Sequence, residues 1–254
     1  MQRIARQNPT LTESCERMET LDSKTQQNRL RDSVAFSRSI RSILLAVVAA
    51  VLSACAGTGG GGQVRDNART FRTVIVDAGH GDFDSGARTR KGALEKNLAL
   101  DVALKVAPKL QAAGFQTILT RSSDRFVHLE DRAKISNRYQ DAVFVSIHFN
   151  DAGRKPVMGI ESYYISPESK RMAEWMVHAL AKEVNMPDRG ARVARFRVLR
   201  SNENPAVLME CGYLSSAKEA SLIVQDGYRE RIAEGIVKGL IGQRGGPLLQ
   251  LASQ

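Results

Sequence analysis

Three cysteines among 254 residues leave no basis for a disulfide framework. Cys15 lies in a polar leader and Cys55 follows a short apolar run, so Cys211 alone falls in the body of the chain and an internal disulfide there is excluded. Long apolar runs are missing too. The longest, Ile43 to Leu52, has ten residues, about half of what a helix needs to span a bilayer. The glycines at 57 and 59–62 are not followed by Gly-Lys-Ser/Thr, which excludes a phosphate-binding loop at that point. Aromatic residues are 6% of the chain and no basic run is interleaved with them, so nucleic acid is not an indicated partner. No internal repeat is present, and a solenoid is excluded with it.

What is present divides the chain. Residues 1–33 are polar and mixed in charge, and then Arg38 and Arg41 precede the apolar run, as the n- and h-regions of a secretory signal do. The segment before Arg38 is long for such a region and points to a start codon assigned too early. Leu52-Ser53-Ala54-Cys55 resembles the lipobox of bacterial lipoproteins. That resemblance implies cleavage before Cys55, lipidation of its thiol and a membrane anchor; the alternative is cleavage at the small residues with Cys55 incidental. Residues 1–54 are then leader and signal peptide, and 55–71 are the lipidated cysteine and a flexible glycine-rich tether. By the same analogy, Ala56 at the second mature position favours the periplasmic face of the outer membrane in a Gram-negative cell. Residues 1–54 hold eight Lys/Arg against five Asp/Glu, so +7 of the formal +10 stays with the remainder. A moderately basic extracytoplasmic body suits an anionic polymer such as cell wall, or a membrane surface.

Residues 72–244 read as a single α/β domain, with 245–254 as a frayed tail. Apolar β-branched runs predict strands at 73–77, 115–119, 142–147 and 159–165, with two short strands near 196–199 and 206–209 around the turn Ser201-Asn-Glu-Asn-Pro205. Four-residue apolar spacing predicts helices near 95–113, 168–184 and 228–242, and a short helix is expected at 129–138. Gly114 is placed to cap the first helix, and Pro108 is a misfit in its final turn. The alternation implies a largely parallel, twisted sheet of about six strands, covered by helices on both faces.

Of four histidines, two stand at strand ends. His80 follows Val74-Ile-Val-Asp-Ala-Gly79 and precedes Gly81, while His148 closes Val143-Phe-Val-Ser-Ile147. Both fall on the rim where open α/β sheets bind ligands. Glu95, in the first turn of its helix, supplies a carboxylate to join them. Each also has a plainer reading: a loop histidine, a structural histidine, and a carboxylate facing a helix dipole. His128 reads as a turn residue and His178 as solvated. Cys211 alternates away from its neighbour Glu210 and reads as a small buried apolar residue.

The motifs Val-Asp-Ala-Gly-His80-Gly, Asp84-Ser-Gly86-Ala, Glu95-Lys-Asn-Leu, Thr120-Arg121-Ser-Ser-Asp124 with Arg132 and Asn137, Ser146-Ile-His148-Phe-Asn150 and Pro205-Ala-Val-Leu-Met-Glu210-Cys-Gly212 occur in this order. In types and spacing they resemble the zinc-dependent N-acetylmuramoyl-L-alanine amidases of the type 3 family, over about 73–242. The resemblance implies Zn2+ held by His80, Glu95 and His148, with Glu210 as the catalytic carboxylate. It implies peptidoglycan as substrate, cut between N-acetylmuramic acid and L-alanine. Arg132 and Asn150 are candidates for substrate contact or for bracing the ligands, and Asp124 and Asn137 for scaffold. The donor chemistry agrees, since two imidazoles and a carboxylate leave zinc an open position for water. The same four residues would serve a zinc peptidase acting on stem peptides, and a non-catalytic wall-binding lipoprotein is the other alternative. Some relatives carry a long plugging helix between the second histidine and the catalytic glutamate. Here 62 positions separate His148 from Glu210 and the expected elements fill them, so an unplugged cleft is expected, with any protein activator unknown.

Overall fold

Six strands form one sheet in the order β2-β1-β3-β6-β4-β5. They are β1 (Thr73–Ala78), β2 (Gln116–Leu119), β3 (Ala142–Asn150), β4 (Ile160–Tyr164), β5 (Asp188–Val193) and β6 (Ala206–Tyr213). A computed structural model describes residues 64–153 and 157–245. The signal segment, Cys55 and the tail after Gly245 lie outside the described residues. Every neighbouring pair is parallel except β4 and β6, which run antiparallel. β1, β3 and β6 occupy the centre and are apolar almost throughout, as strands buried on both faces must be.

Six helices follow in chain order: α1 (Glu95–Ala112), α2 (Leu129–Asn137), α3 (Pro167–Val184), α4 (Arg197–Arg200), α5 (Ala217–Ile223) and α6 (Asp226–Gly245). Alternation along β1 divides the core between the two faces. Val74 and Val76 pack with Leu98, Val102 and Val106 of α1, Met172 and Met176 of α3, and Ile232 and Ile236 of α6. Ile75 faces the other way, in a smaller cluster with Phe144, Leu208 and Val198 and Leu199 of α4, against which Ile135 of α2 packs. The expected largely parallel sheet with helices on both faces is therefore present. α1 continues past Pro108 and ends at Gly114, where φ is +85°. The Phe115 N–H reaches the Leu110 carbonyl and the Gly114 N–H that of Gln111, a Schellman closure that only a left-handed residue permits.

Three elements depart from expectation. The segment near 196–199, expected as a strand, is the helical turn α4. Its neighbours Val198 and Leu199 are both buried in one cluster, a placement that a strand would split between two faces. β5 was not foreseen, because Asp-Arg-Gly-Ala-Arg-Val has no apolar alternation; it is an edge strand, only partly covered. α5 was also unforeseen, a short helix capped by the Ser216 hydroxyl, which accepts from the Glu219 N–H. The tether, expected to run flexibly to residue 71, is already packed from Arg65, whose guanidinium binds Glu203 and Asn204. Phe71 is fully buried and stacks on Phe115. No helix among the described residues is long and apolar enough to cross a membrane. Between β3 and β6 the described chain forms β4, α3, β5 and α4, all of which join the sheet or its faces.

Candidate metal centre

Because β1, β3 and β6 are parallel, their C-terminal ends open on the same rim. His80 lies two residues past β1, and His148 near the end of β3 is paired in register with Glu210 of β6. Glu95 opens α1 after the loop that leaves β1. Strand direction thus brings His80, His148 and Glu210 together, and the loop after β1 delivers Glu95 to them at the head of α1.

The turn that displays His80 is strained, with φ of +60° at His80 and +55° at Asp82. Such a backbone costs about 1–3 kcal/mol for a non-glycine residue and persists only where its surroundings over-determine it. Two buried arginines do so. Arg121 donates to the carbonyls of Ala78 and Gly79, and Arg132 to those of Ala78 and His80. Arg132 also donates to buried Asp77 at 2.8 Å, and Asp77 accepts from the Thr120 and Ser146 hydroxyls at 2.6 Å each. Burial opposes the charge on Asp77, but Arg132 and the two hydroxyls hold its carboxyl below the usual carboxylate range.

Glu95 is buried, and its Oε1 lies 3.0 Å from His80 Nε2 and 2.9 Å from His148 Nδ1. The Phe149 N–H donates to the same oxygen and the Ala87 N–H to Oε2. Burial raises the proton affinity of Glu95, yet the two histidines outweigh it and keep the carboxyl far below its ordinary range. His80 shifts the opposite way: burial lowers its pKa, and Glu95 and Asp84 raise it by more. Asp84 Oδ2 lies 2.9 Å from His80 Nδ1, close enough for an ionic contact with that ring. One donor atom from each of His80, Glu95 and His148 falls within 4.8 Å of the others, so the three can hold a metal ion together. Two glycines make the room. A Cβ on Gly79 would stand 2.3 Å from His148 Cε1, and one on Gly86 would stand 2.5 Å from Glu95 Oε2.

Glu210 lines the same cleft, of about 340 Å3, and its Oε2 is buried without a hydrogen-bond partner. Burial, then the charges of Glu95 and Glu161, push its carboxyl well above the usual range. Glu161, across β4 in register with Glu210, was not singled out from sequence. It is buried and bound by the Tyr163 hydroxyl at 2.7 Å and by Arg189 at 2.5 Å. The only hint was a charged residue inside the alternating run Ile-Glu-Ser-Tyr-Tyr. Asn150 lines the cleft, with its amide 3.4 Å from Glu161. Arg132 reaches the cleft wall, but its guanidinium is spent on Asp77 and on backbone carbonyls. Asp124 pairs with Lys96 and accepts from the Asp82 N–H, and Asn137 ties α2 to Ser201 and Glu203. Cys211 is fully buried. His128 precedes α2, while His178 stands 3.4 Å from Asp188, outside the cluster.

An α/β sheet that gathers two imidazoles and two carboxylates at a single rim, three of these groups close enough to hold a metal ion together, has the make-up of a mononuclear metallohydrolase. Residues 74–242 match the sequence profile of the N-acetylmuramoyl-L-alanine amidases, and the chain belongs to that family. N-acetylmuramoyl-L-alanine amidase LytC of Bacillus subtilis is 37% identical over 173 residues, which are 66% of this chain and 35% of LytC. The probable cell wall amidase LytH of Staphylococcus epidermidis is 34% identical over 171 residues, 66% of this chain and 57% of LytH. The chain thus spans about a third of one relative and little more than half of the other. Among solved structures, the catalytic domain of CwlV from Bacillus (Paenibacillus) polymyxa var. colistinus is 40% identical, with a TM-score of 0.64 over 68% of this chain and 97% of that one. AmiC2 of Nostoc punctiforme is 36% identical at the same TM-score, over 66% and 94% of the two chains.

Proposed function

We propose that this protein hydrolyses the amide bond between N-acetylmuramic acid and L-alanine in peptidoglycan, with zinc held by His80, Glu95 and His148. The observation that carries this reading is the convergence of those three donors beside Glu210, whose buried Oε2 has no partner in the protein. Two nitrogens and one oxygen are a donor set zinc favours. Bound there, zinc supplies a Lewis acid for the amide carbonyl and a water whose pKa falls from 15.7 to about 7. Glu210 takes the proton given up as water attacks, then passes it to the alanine nitrogen as the C–N bond breaks. Asp84 places a carboxylate beside the His80 ring, and Arg121 and Arg132 hold the turn that carries it. Arg132 therefore acts through His80 rather than on substrate, whereas Asn150 remains open to the cleft. Among the described residues, the elements between β3 and β6 join the sheet or its faces.

Purified sacculi treated with the protein should release free stem peptides beginning with L-alanine, detected by mass spectrometry. Release should stop on chelation and return with zinc. Shortened stems still attached to muramic acid would instead identify a peptidase, and intact sacculi with metal-loaded protein would identify a wall-binding protein.

The same reading places the protein outside the cytoplasm, tethered to a membrane through lipid on Cys55. Support comes from the lipobox-like Leu-Ser-Ala-Cys and from relatives named as cell wall amidases. Cys55→Ala should abolish incorporation of labelled fatty acid and release the protein from membranes; a label that persists would sink the anchor.

A further inference from the structure

The loop that carries the metal site at one end carries a basic tip at the other. Ala87 donates its N–H to Glu95, and three residues on, at most about 11 Å of chain, stands Arg90. Arg88, Arg90 and Lys91 are exposed, and none of them makes an ion pair among the described residues. Some exposed cations elsewhere are paired, as Arg197 is with Glu130 and Lys238 with Glu183. The tip is also held in shape. Thr89 donates its N–H to the Ala93 carbonyl, its hydroxyl accepts from the Ala93 N–H and its carbonyl from the Gly92 N–H, and Gly92 turns at φ +90°.

Facing the tip is α5, and between them runs a groove of about 290 Å3, floored by Leu214, Ala217, Ala220 and Val224 and edged by Arg90 and Lys91. The one carboxylate of α5, Glu219, is buried and turned away to the N–H groups of Gly159 and Tyr213. Positive charge on this edge is therefore unopposed. The groove adjoins the cleft along a second path, because Leu214 donates its N–H to the carbonyl of Asn150, which lines the cleft. The opposite wall of the cleft, at Leu129 and Phe196, is apolar and partly exposed.

The geometry points to this groove as the site that receives the peptide side of the substrate, with Arg90 and Lys91 engaging a carboxylate on a residue beyond the alanine. It rests on the amidase reading above and gives that substrate a direction: the acidic peptide runs over the 88–92 tip and α5. The neutral sugar is left to the Leu129 and Phe196 wall. An apolar floor accepts the peptide's methyl and methylene groups, and the rim cations select for charge, which is how specificity and orientation are commonly divided in a site.

The test uses the zinc-loaded full chain and two synthetic muramoyl peptides, identical except that the residues after alanine carry free carboxylates in one and carboxamides in the other. Wild type should prefer the carboxylate substrate in kcat/KM. In an Arg90→Ala/Lys91→Ala double variant that preference should fall about five- to tenfold, expressed in KM. Raised salt should erode the wild-type preference in the same way. Calorimetry with the free carboxylate peptide should show binding to wild type and a matching loss in the variant. If wild type cleaves both peptides and the double variant keeps the same ratio, the groove assignment is overturned while the amidase reading stands. An equal loss on both substrates would also overturn it, since charge selection would then be absent. Cleavage of neither peptide by metal-loaded wild type would overturn the amidase reading itself.

Discussion

Glu210→Gln should bind zinc as wild type does and lose turnover by about 10²–10⁴-fold, the span that removal of a general acid–base group produces. The substitution is close to isosteric. Glu210 is not among the three clustered donors, so metal content measured by plasma mass spectrometry should not change. Its buried Oε2 makes no hydrogen bond in the protein, so the amide breaks no existing contact and stability should be preserved. What disappears is the capacity to take a proton on one side of the reaction and return it on the other. Loss should therefore appear in kcat more than in KM. A variant with near wild-type turnover would remove Glu210 from this role, and one that lost its metal would recast it as a ligand.

Much of this arrangement was legible in sequence because parallel strands express their ends in one place. An apolar β-branched run announces a central strand, and a polar residue at its close or a few residues beyond announces the rim. His80, His148 and Glu210 all follow that pattern, and the sheet order puts their strands side by side. Glu95 was less legible by pattern, since a glutamate in the first turn of a helix has an ordinary reading as a partner of the dipole; the motif resemblance, not periodicity, separated the two. The elements that escaped are those whose neighbours decide their form. β5 has no apolar period and exists because β4 offers an edge to pair with. α4 holds two adjacent apolar residues that a strand pattern and a single helical turn accommodate equally in sequence. Glu161 was invisible as a site residue because its meaning lies in register, opposite Glu210 across an antiparallel pair that no local signal announces. Arg132 could be matched to a motif, but its target, the strained turn at His80, belongs to another part of the chain.

That target makes Arg132→Met the substitution with the largest expected cost in stability. Arg132 is 2% exposed and Asp77 is fully buried, so removing the cation leaves an uncompensated carboxylate inside the sheet. Breaking a buried pair in this way costs about 3–5 kcal/mol, and in a body of this size the midpoint of thermal unfolding should fall by about 10 °C or more. Methionine keeps much of the volume, so the loss measures charge and hydrogen bonding more than a cavity. The double variant Asp77→Asn/Arg132→Met should recover part of it, because the amide still accepts from Thr120 or Ser146 without a net charge. The pH dependence should separate the proteins further. Asp77 has a folded-state pKa below its unfolded value of 3.8, so its contribution is complete above that value and is lost as pH falls through the folded one. In Arg132→Met the largest force lowering that pKa is gone, and the acid limb of stability should move to higher pH. Metal affinity should drop as well, since the carbonyl of His80 loses the donor that fixes its turn. An Arg132→Met protein that melts with wild type would show that Arg121 alone holds the turn and that the buried pair adds nothing to it.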